Sequence, residues 1–486
     1  MKRSAIRHGL IAGSAGLALL LPFAAQADTL REALVAAYNT NPTLQAARAN
    51  QRATDESVPI ARASGLPSVN GTATFTEQLR DAIPDPGGVF ADRTFAGNVT
   101  LNVPIYSGGS VRNSINAAEV RVVAGQANLR GTESFVFSQV VATYMDVILQ
   151  EAIVSLSEQN VQVLEVNLQA TGDRFEIGDL TRTDVAQSQA RLALAQGDLE
   201  SSRSNLVSAR EFYIQLVGKA PVELEAPPPL PGLPASIEDA VDIALENNPD
   251  LIAARENSRA AKYDIEVAGA GRLPRLELFT SGNYNDSLGT SVGNNVTGAD
   301  YTSSATAGVR ATIPIYQGGR PAAQERQAQA RSSAALEQEI ATERDVIAQV
   351  RAAWSSWRAA NAITRSSQAA VEAAELSLEG VRAENSVGNR TILDILDAQQ
   401  ELLRAQVQLV TARRNAYVAG FSLLAAMGRA EARDLGLDSE GVLYDPQLNF
   451  ERVRGKMFDW EFDPDPEAQS TRTVDTQAQD GNIPGN

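Results

Sequence analysis

Two spacings of apolar residues alternate along this chain. Residues 30–63 carry helical spacing, interrupted at Asn41-Pro42, because a residue that precedes proline avoids the right-handed helical region. The period then becomes two. Val69, Gly71, Ala73 and Phe75 alternate with Asn70, Thr72, Thr74 and Thr76. After a Pro/Gly/Asp-rich loop over 79–93, Phe95, Gly97, Val99, Leu101 and Val103 alternate with Thr94, Ala96, Asn98, Thr100 and Asn102. This predicts strands near 67–78 and 94–104. A proline-free run from 110 to about 174 then predicts one helix of about 100 Å, and a further helix follows over 180–217. The same order returns: a helix from 237, strands near 273–285 and 301–314, a long helix over 320–384 and a helix over 391–427.

The return is literal. Val103-Pro104-Ile105-Tyr106-Ser107-Gly108-Gly109 is matched by Ile313-Pro314-Ile315-Tyr316-Gln317-Gly318-Gly319, 210 residues later, and both stretches lie where strand gives way to long helix. Gly178, Thr181, Asp184 and Gly218 recur at the same offset as Gly388, Thr391, Asp394 and Gly428. Asn41-Pro42 and Leu66-Pro67 recur 207 residues on as Asn248-Pro249 and Leu273-Pro274. The chain therefore divides into a leader over 1–27, a first unit over 28–217, a Pro-rich connector over 218–236 placed at mid-height, and a second unit over 237–428. An irregular segment follows over 429–461, and the polar composition of 462–486 predicts a disordered tail. The period is too long for a solenoid.

Strands of about ten residues, apolar on one side and Thr/Asn/Ser on the other, suit an outer-membrane barrel or the face of a soluble sandwich. The helices favour the first. Runs beyond ~25 residues imply coiled-coil-like packing. A composition of Ala, Gln, Ser, Glu and Arg, with few large apolar residues, implies a hollow helical layer wetted on both faces. Four strands cannot close a membrane barrel, which needs about eight, and open edges are not tolerated in lipid. Three copies would share twelve strands. Two would share eight, around a lumen filled by side chains. The expected class is mainly α with a small shared β-barrel, in a trimer.

Composition narrows the chemistry. Lys2, Arg3 and Arg7, an apolar run to Leu21 and Ala25-Gln26-Ala27 read as a secretory signal. Its removal takes three positive charges and moves the formal net charge from −17 to −20, which argues against nucleic acid as a partner. The chain has no Cys, and its one His, His8, lies in the leader. Zinc centres, Ser-His-Asp triads and thiol nucleophiles are excluded, and neither a metal nor a cofactor is expected. An aromatic content of 5% is low for a saccharide cleft. No run of ~18 consecutive apolar residues follows the leader, so no transmembrane helix is expected. No catalytic cluster stands out.

The duplicated Pro-Ile-Tyr-x-Gly-Gly, the paired Asn-Pro and Leu-Pro motifs, and the stretch Ser386-Val387-Gly388-Asn389-Arg390-Thr391-Ile392-Leu393-Asp394-Ile395-Leu396-Asp397-Ala398 resemble the TolC family of outer-membrane efflux proteins over roughly 28–445. The resemblance implies a homotrimer in outer-membrane lipid with a helical tunnel crossing the periplasm. It implies docking on a periplasmic adaptor (membrane fusion) protein and an inner-membrane pump of RND, ABC or MFS type, and export of drugs or unfolded proteins. A passive porin would not need such helices, and a periplasmic scaffold or adaptor would not need the duplicated strands.

The resemblance also assigns roles. Asp394 and Asp397 match an aspartate ring at the closed periplasmic aperture, and Arg390 matches a gate arginine with Asp184 as its carboxylate partner. Asn385 stands where the best-known members carry a tyrosine. A local reading stands beside this for Thr181-x-x-Asp184 and Thr391-x-x-Asp394, because a Thr N-cap with an Asp three residues on is a capping box. Tyr106 and Tyr316 fit either the periplasmic edge of an aromatic belt or packing at the strand-to-helix junction.

Overall fold

A computed structural model describes residues 28–79, 91–289, 301–440 and 443–483. The predicted leader, most of the loop between the first two strands and the last three residues lie outside the described residues. The first unit runs α1 (Leu30–Thr40), α2 (Pro42–Asp55), α3 (Ser57–Ala63), β1 (Ser68–Glu77), β2 (Arg93–Tyr106), α4 (Ser110–Glu176) and α5 (Arg182–Val217). The second runs α6 (Ile237–Asn247), α7 (Pro249–Gly269), a 3-10 turn, β3 (Arg275–Asp286), β4 (Tyr301–Thr312), α8 (Arg320–Ser386) and α9 (Ile392–Ala426). A short helix, α10 (Pro446–Val453), interrupts the stretch read as irregular. It starts there because Pro446 follows Asp445, whose side chain accepts from the Gln447 amide.

The two 67-residue helices α4 and α8 run the full height, about 100 Å. Between them α7 fills the half nearest the sheet and α9 the half nearest the tip, and α2–α3 and α5 flank α4 in the same manner. The half-helices meet end to end through the Asn-Pro motifs. Asn41 Oδ1 accepts from the amides of Thr43 (3.0 Å) and Leu44 (3.3 Å), which caps α2, while its Nδ2 donates to the Leu216 carbonyl at the end of α5 (3.0 Å). Asn248 does the same for α7 and α9, accepting from Asp250 and Leu251 and donating to the Ala426 carbonyl at 2.9 Å. Each asparagine thus satisfies orphan groups of two helix ends at once.

The sheet is antiparallel in the order β1-β2-β3-β4, and among the described residues both outer strands are unpaired on one side. Pro104 lies in central strand β2 but beyond the last β1 pair, Ser68 opposite Asn102, and its pairing with β3 slips through a bulge before Tyr106. A residue without an N–H is tolerated at such a place. Strand β4 ends at Thr312, so Ile313 and Pro314, expected within it, belong to the descent toward α8.

The core sits at mid-height. Leu34, Tyr38, Leu44, Val136, Phe137, Tyr144, Leu206, Tyr213, Phe421 and Leu424 join α1, α2, α4, α5 and α9 there. The Tyr144 hydroxyl donates to the carbonyls of Asp28 (2.9 Å) and Glu225 (2.7 Å), pinning the Pro-rich connector to the middle of α4. Although α4 has no unbroken apolar run of that length, it contains an 18-residue window of mean hydropathy 1.4, long and apolar enough for a membrane span by length and composition alone. The same helix buries Val136, Phe137, Val140, Val141 and Val147, so its apolarity serves packing.

The tail makes long-range contacts. The Arg210 guanidinium, buried against α4 and paired with Glu151 at 2.9 Å, donates to the carbonyls of Asp480 and Asn482, each at 2.9 Å. The Gln479 amide donates to Glu211 at 3.1 Å, and Ile483 packs on the core. The described part of 462–483 is thus laid along α5. Backbone carbonyls meeting a buried cation hold it, a bond that polar composition does not reveal.

Beside this core, Glu133 accepts from the Ala432 amide at 2.6 Å, near the Arg130–Glu431 pair (2.8 Å). Burial pushes its carboxyl up to about 7. The folded chain then keeps a proton that the unfolded chain releases near 4.5, so the stability Glu133 contributes is full below about 4.5 and is lost as pH rises to 7. The loss is up to about 3 kcal/mol per copy at 1.36 kcal/mol per unit. Glu133→Gln is expected to melt higher than the parent at pH 8 and to match it near pH 5. Parallel melting curves at both pH values would sink this assignment.

Candidate functional site

At the end away from the sheet, α4 turns into α5 through Ile177–Thr181, and α8 turns into α9 through Val387–Thr391. The two turns are built alike. Gly178 (φ 86°) and Gly388 (φ 85°) close the long helices. Thr181 and Thr391 then cap the next helices through full capping boxes. Asp184 Oδ2 accepts from the Thr181 amide (2.8 Å) and hydroxyl (2.7 Å), and Asp394 Oδ2 accepts from Thr391 at the same two distances. These bonds hold both carboxyls below the usual carboxylate range, so both are charged at neutral pH.

The turns differ in their ion pairs. In the first, Arg174 Nε donates to Asp179 at 2.8 Å. In the second, Arg390 Nε donates to Glu384 at 2.7 Å and its Nη1 lies 3.8 Å from Asp394, while Asn385 Nδ2 donates to the Arg390 carbonyl at 2.6 Å. The bond to Glu384, and then the two carboxylate charges, raise the affinity of Arg390 for its proton.

Within one chain, the expected Arg390–Asp184 pair is not made. Asp184 is engaged by its own cap, and Glu384 lies just across the turn from Arg390. Asp397 is not a merely solvated residue either. Arg191 of α5 donates to it at 2.6 Å, joining the first unit to the second. Asn167 of α4 donates to Gln399 of α9 at 3.0 Å, and Leu164, Ala195 and Leu396 bury a small apolar contact among the same three helices. Arg191 and Gln399 escaped sequence reading. Counted from the aligned caps Thr181 and Thr391, Arg191 and Asp397 differ in height by one helical turn, within reach of an arginine, and that was the available signal.

At the other end, the repeated motif makes the strand-to-helix junctions. Gly108-Gly109 (φ 66°, 84°) and Gly318-Gly319 (φ 61°, 78°) precede α4 and α8 in the left-handed region, which only glycine enters freely. A Cβ on Gly108 would also meet the Leu273 Cβ at 2.8 Å, so the first junction is sealed against the second unit. Pro104 and Pro314 lie just above these turns. In the single chain Tyr316 is 86% exposed and Tyr106 is half exposed at 51%. Among the described residues, no group of His, Cys, Asp or Glu could hold a metal ion.

Comparison with known proteins gives this architecture its family. The family model described as "Outer membrane efflux protein" matches residues 33–219 and 240–429, one segment for each unit. The chain is 34% identical over 439 residues to the outer membrane efflux protein BepC of Brucella suis, covering 90% of this chain and 92% of that one. It is 27% identical to the outer membrane protein TolC of Escherichia coli, over 84% of each chain. Its backbone superposes on the crystal structure of the Campylobacter jejuni CmeC outer membrane channel with a TM-score of 0.72, at 17% identity, covering 88% and 89% of the two chains. The duplicated units, the sheet continuous with two full-height helices and the matched family model agree: this chain belongs to the outer membrane efflux protein family.

Proposed function

We propose that three copies of this chain close their sheets into a twelve-stranded barrel in the outer membrane and continue it as a helical duct through the periplasm. The duct is the exit path of an efflux or type I secretion assembly, reached from a periplasmic adaptor protein and an inner-membrane pump of RND, ABC or MFS type. The observation that carries this reading is the four-stranded sheet whose two edges are open and whose strands lead directly into two 67-residue helices. An open edge in lipid leaves backbone groups unsatisfied, so the sheet must be completed by other copies. Reconstitution of the purified mature chain in planar lipid, with native mass spectrometry on the same sample, tests it. A trimer that conducts is expected. A water-soluble monomer that forms no pore overturns the reading.

The tip is the proposed gate. Asp394 and Asp397 of three copies place six carboxylates around one aperture. A link from Arg390 to Asp184 would have to run between copies, in exchange for the pair with Glu384. An exposed pair is weak because water screens it, but three act together on one aperture. Arg390→Ser is therefore expected to shift the closed channel toward longer openings and to raise antibiotic uptake. Single-channel records indistinguishable from the parent would remove Arg390 from the gate.

A further inference from the structure

One exposed apolar surface is left unexplained by the core, the duct or the tip. After α10 the chain forms a tight loop, 456–463, pinned at its base by a two-pronged pair from Arg452 to Asp463 (2.7 and 2.8 Å) and by Lys456 lying 3.6 Å from Asp463. The segment that leads into the loop is held to the protein. Arg62 donates to the Arg454 carbonyl at 3.2 Å, Asn449 donates to Asp55 at 2.6 Å, and Val453 is fully buried. From this fixed base it presents Phe458 (71% exposed), Trp460 (86%) and Phe462 (77%). Trp460 and Phe462 stand edge to face with centroids 6.4 Å apart. With Ile60 and Leu66 the loop encloses a cleft of about 440 Å³ beside α3. Large aromatic residues held rigidly in water mark a docking surface.

Its place in the fold names the occupant. Val58 of α3 faces α4 and is buried with Ala118 and Val122. Ile60, two residues on and so on the opposite side of the helix, lines the cleft. The cleft therefore opens away from α4, toward the edge of the helical layer below β1. At the other edge of the same chain, below β4, Ile313 (64% exposed), Ile315 (95%) and Tyr316 (86%) are also uncovered.

The two surfaces lie at similar depth. Across the sheet, Ser68 pairs with Asn102, Asn102 with Phe279 and Phe279 with Gly308. From that common level, Ile60 and Ile313–Tyr316 both fall within roughly 10–25 Å on the tip side. Charge matches as well. Asp459 and Glu461 sit between the aromatics, and the exposed Arg320 and Arg326 open α8 just below Tyr316 with no acidic partner among the described residues. The acidic loop suits this edge better than an anionic lipid surface.

We infer that the 456–463 loop is a clasp. Its aromatics seat against the Ile313–Tyr316 junction of the next copy, so each seam below the barrel is covered by the C-terminal segment of one chain. The inference rests on the trimeric reading above and is tested apart from it. The chain has no cysteine, so Phe458→Cys combined with Ile315→Cys or with Tyr316→Cys gives a clean disulfide assay in the full-length assembled protein. Oxidation of at least one pair is expected to yield dimer and trimer bands on non-reducing gels, absent from each single variant. A trimer by native mass spectrometry that yields no such bands from either pair overturns the clasp and leaves the duct standing. Absence of the trimer overturns the duct reading itself. Separately, with Trp354→Phe and Trp357→Phe, Trp460 is the remaining tryptophan. Its emission should be little changed by brominated lipid, and strong quenching would show that lipid occupies the surface instead.

Discussion

Gly428→Ala is expected to leave little folded protein at 37 °C. Gly428 ends α9 at φ 69°, and a Cβ there would stand 2.4 Å from the Asn247 carbonyl oxygen, 2.6 Å from its carbon and 2.9 Å from the Asn248 Cα. These are backbone atoms at the joint where α9 meets α7. They cannot withdraw without breaking the bond from Asn248 to the Ala426 carbonyl. A left-handed non-glycine residue costs about 1–2 kcal/mol, and forcing atoms into a packed site adds about 1–3 kcal/mol. The sum is a large part of the ~5–15 kcal/mol that holds a typical domain folded. The equivalent Gly218 should tolerate alanine better, because the nearest atoms are the Thr471 and Thr40 hydroxyls at 2.7 and 3.1 Å, which can rotate away. Gly388, with φ 85° and nothing within 4 Å, isolates the backbone cost. Melting temperatures of the three variants check the order. A Gly428→Ala protein as stable as Gly388→Ala would refute the joint as a close approach of two backbones.

The second large effect is electrical. Asp394→Asn together with Asp397→Asn should cost about tenfold or more in block by multivalent cations, and should weaken cation selectivity. In the proposed aperture the change removes six carboxylates from a narrow passage whose walls focus the field. Asparagine leaves an oxygen to accept from the Thr391 amide, so the cap of α9 is retained. Arg191→Gln should act in the opposite sense. Asp397 is neutralised by Arg191 at 2.6 Å, and removing that cation leaves the carboxylate free to meet the permeating ion, so block should strengthen. Reversal potentials and blocker titrations on reconstituted channels measure both. An unchanged blocker constant in the double variant would place the aperture elsewhere.

Most of the architecture is written in local patterns. Alternation at 69–76 and 95–103, the long proline-free runs and the two Thr-x-x-Asp caps each depend on residues a few positions apart, and the structure builds them from those same neighbours. The Asn-Pro motifs were legible as breaks but not as joints, because the second half of each asparagine's work is done on a carbonyl about 175 residues away. The site shows the same limit. The capping role of Asp184 and Asp394 is local and could be read in advance. Arg191 meeting Asp397 depends on how two units pack, and the choice of Glu384 over Asp184 by Arg390 depends on a turn whose shape the motif alone does not state. The tail shows the same limit: polar composition says that a segment cannot make a core, not that its carbonyls meet Arg210.

The uncovered rims of β1 and β4 also bear on how the protein is made. A newly exported copy carries two ready templates for strand addition, one on each side, which no strand among the described residues pairs with. Correct maturation is therefore a race between three identical copies finding one another and any one of them being captured by a wrong ribbon. Its rate should climb steeply with the local supply of chains at the membrane, and overproduction beyond the capacity of the insertion machinery should yield fibrous or precipitated material before it yields more channels.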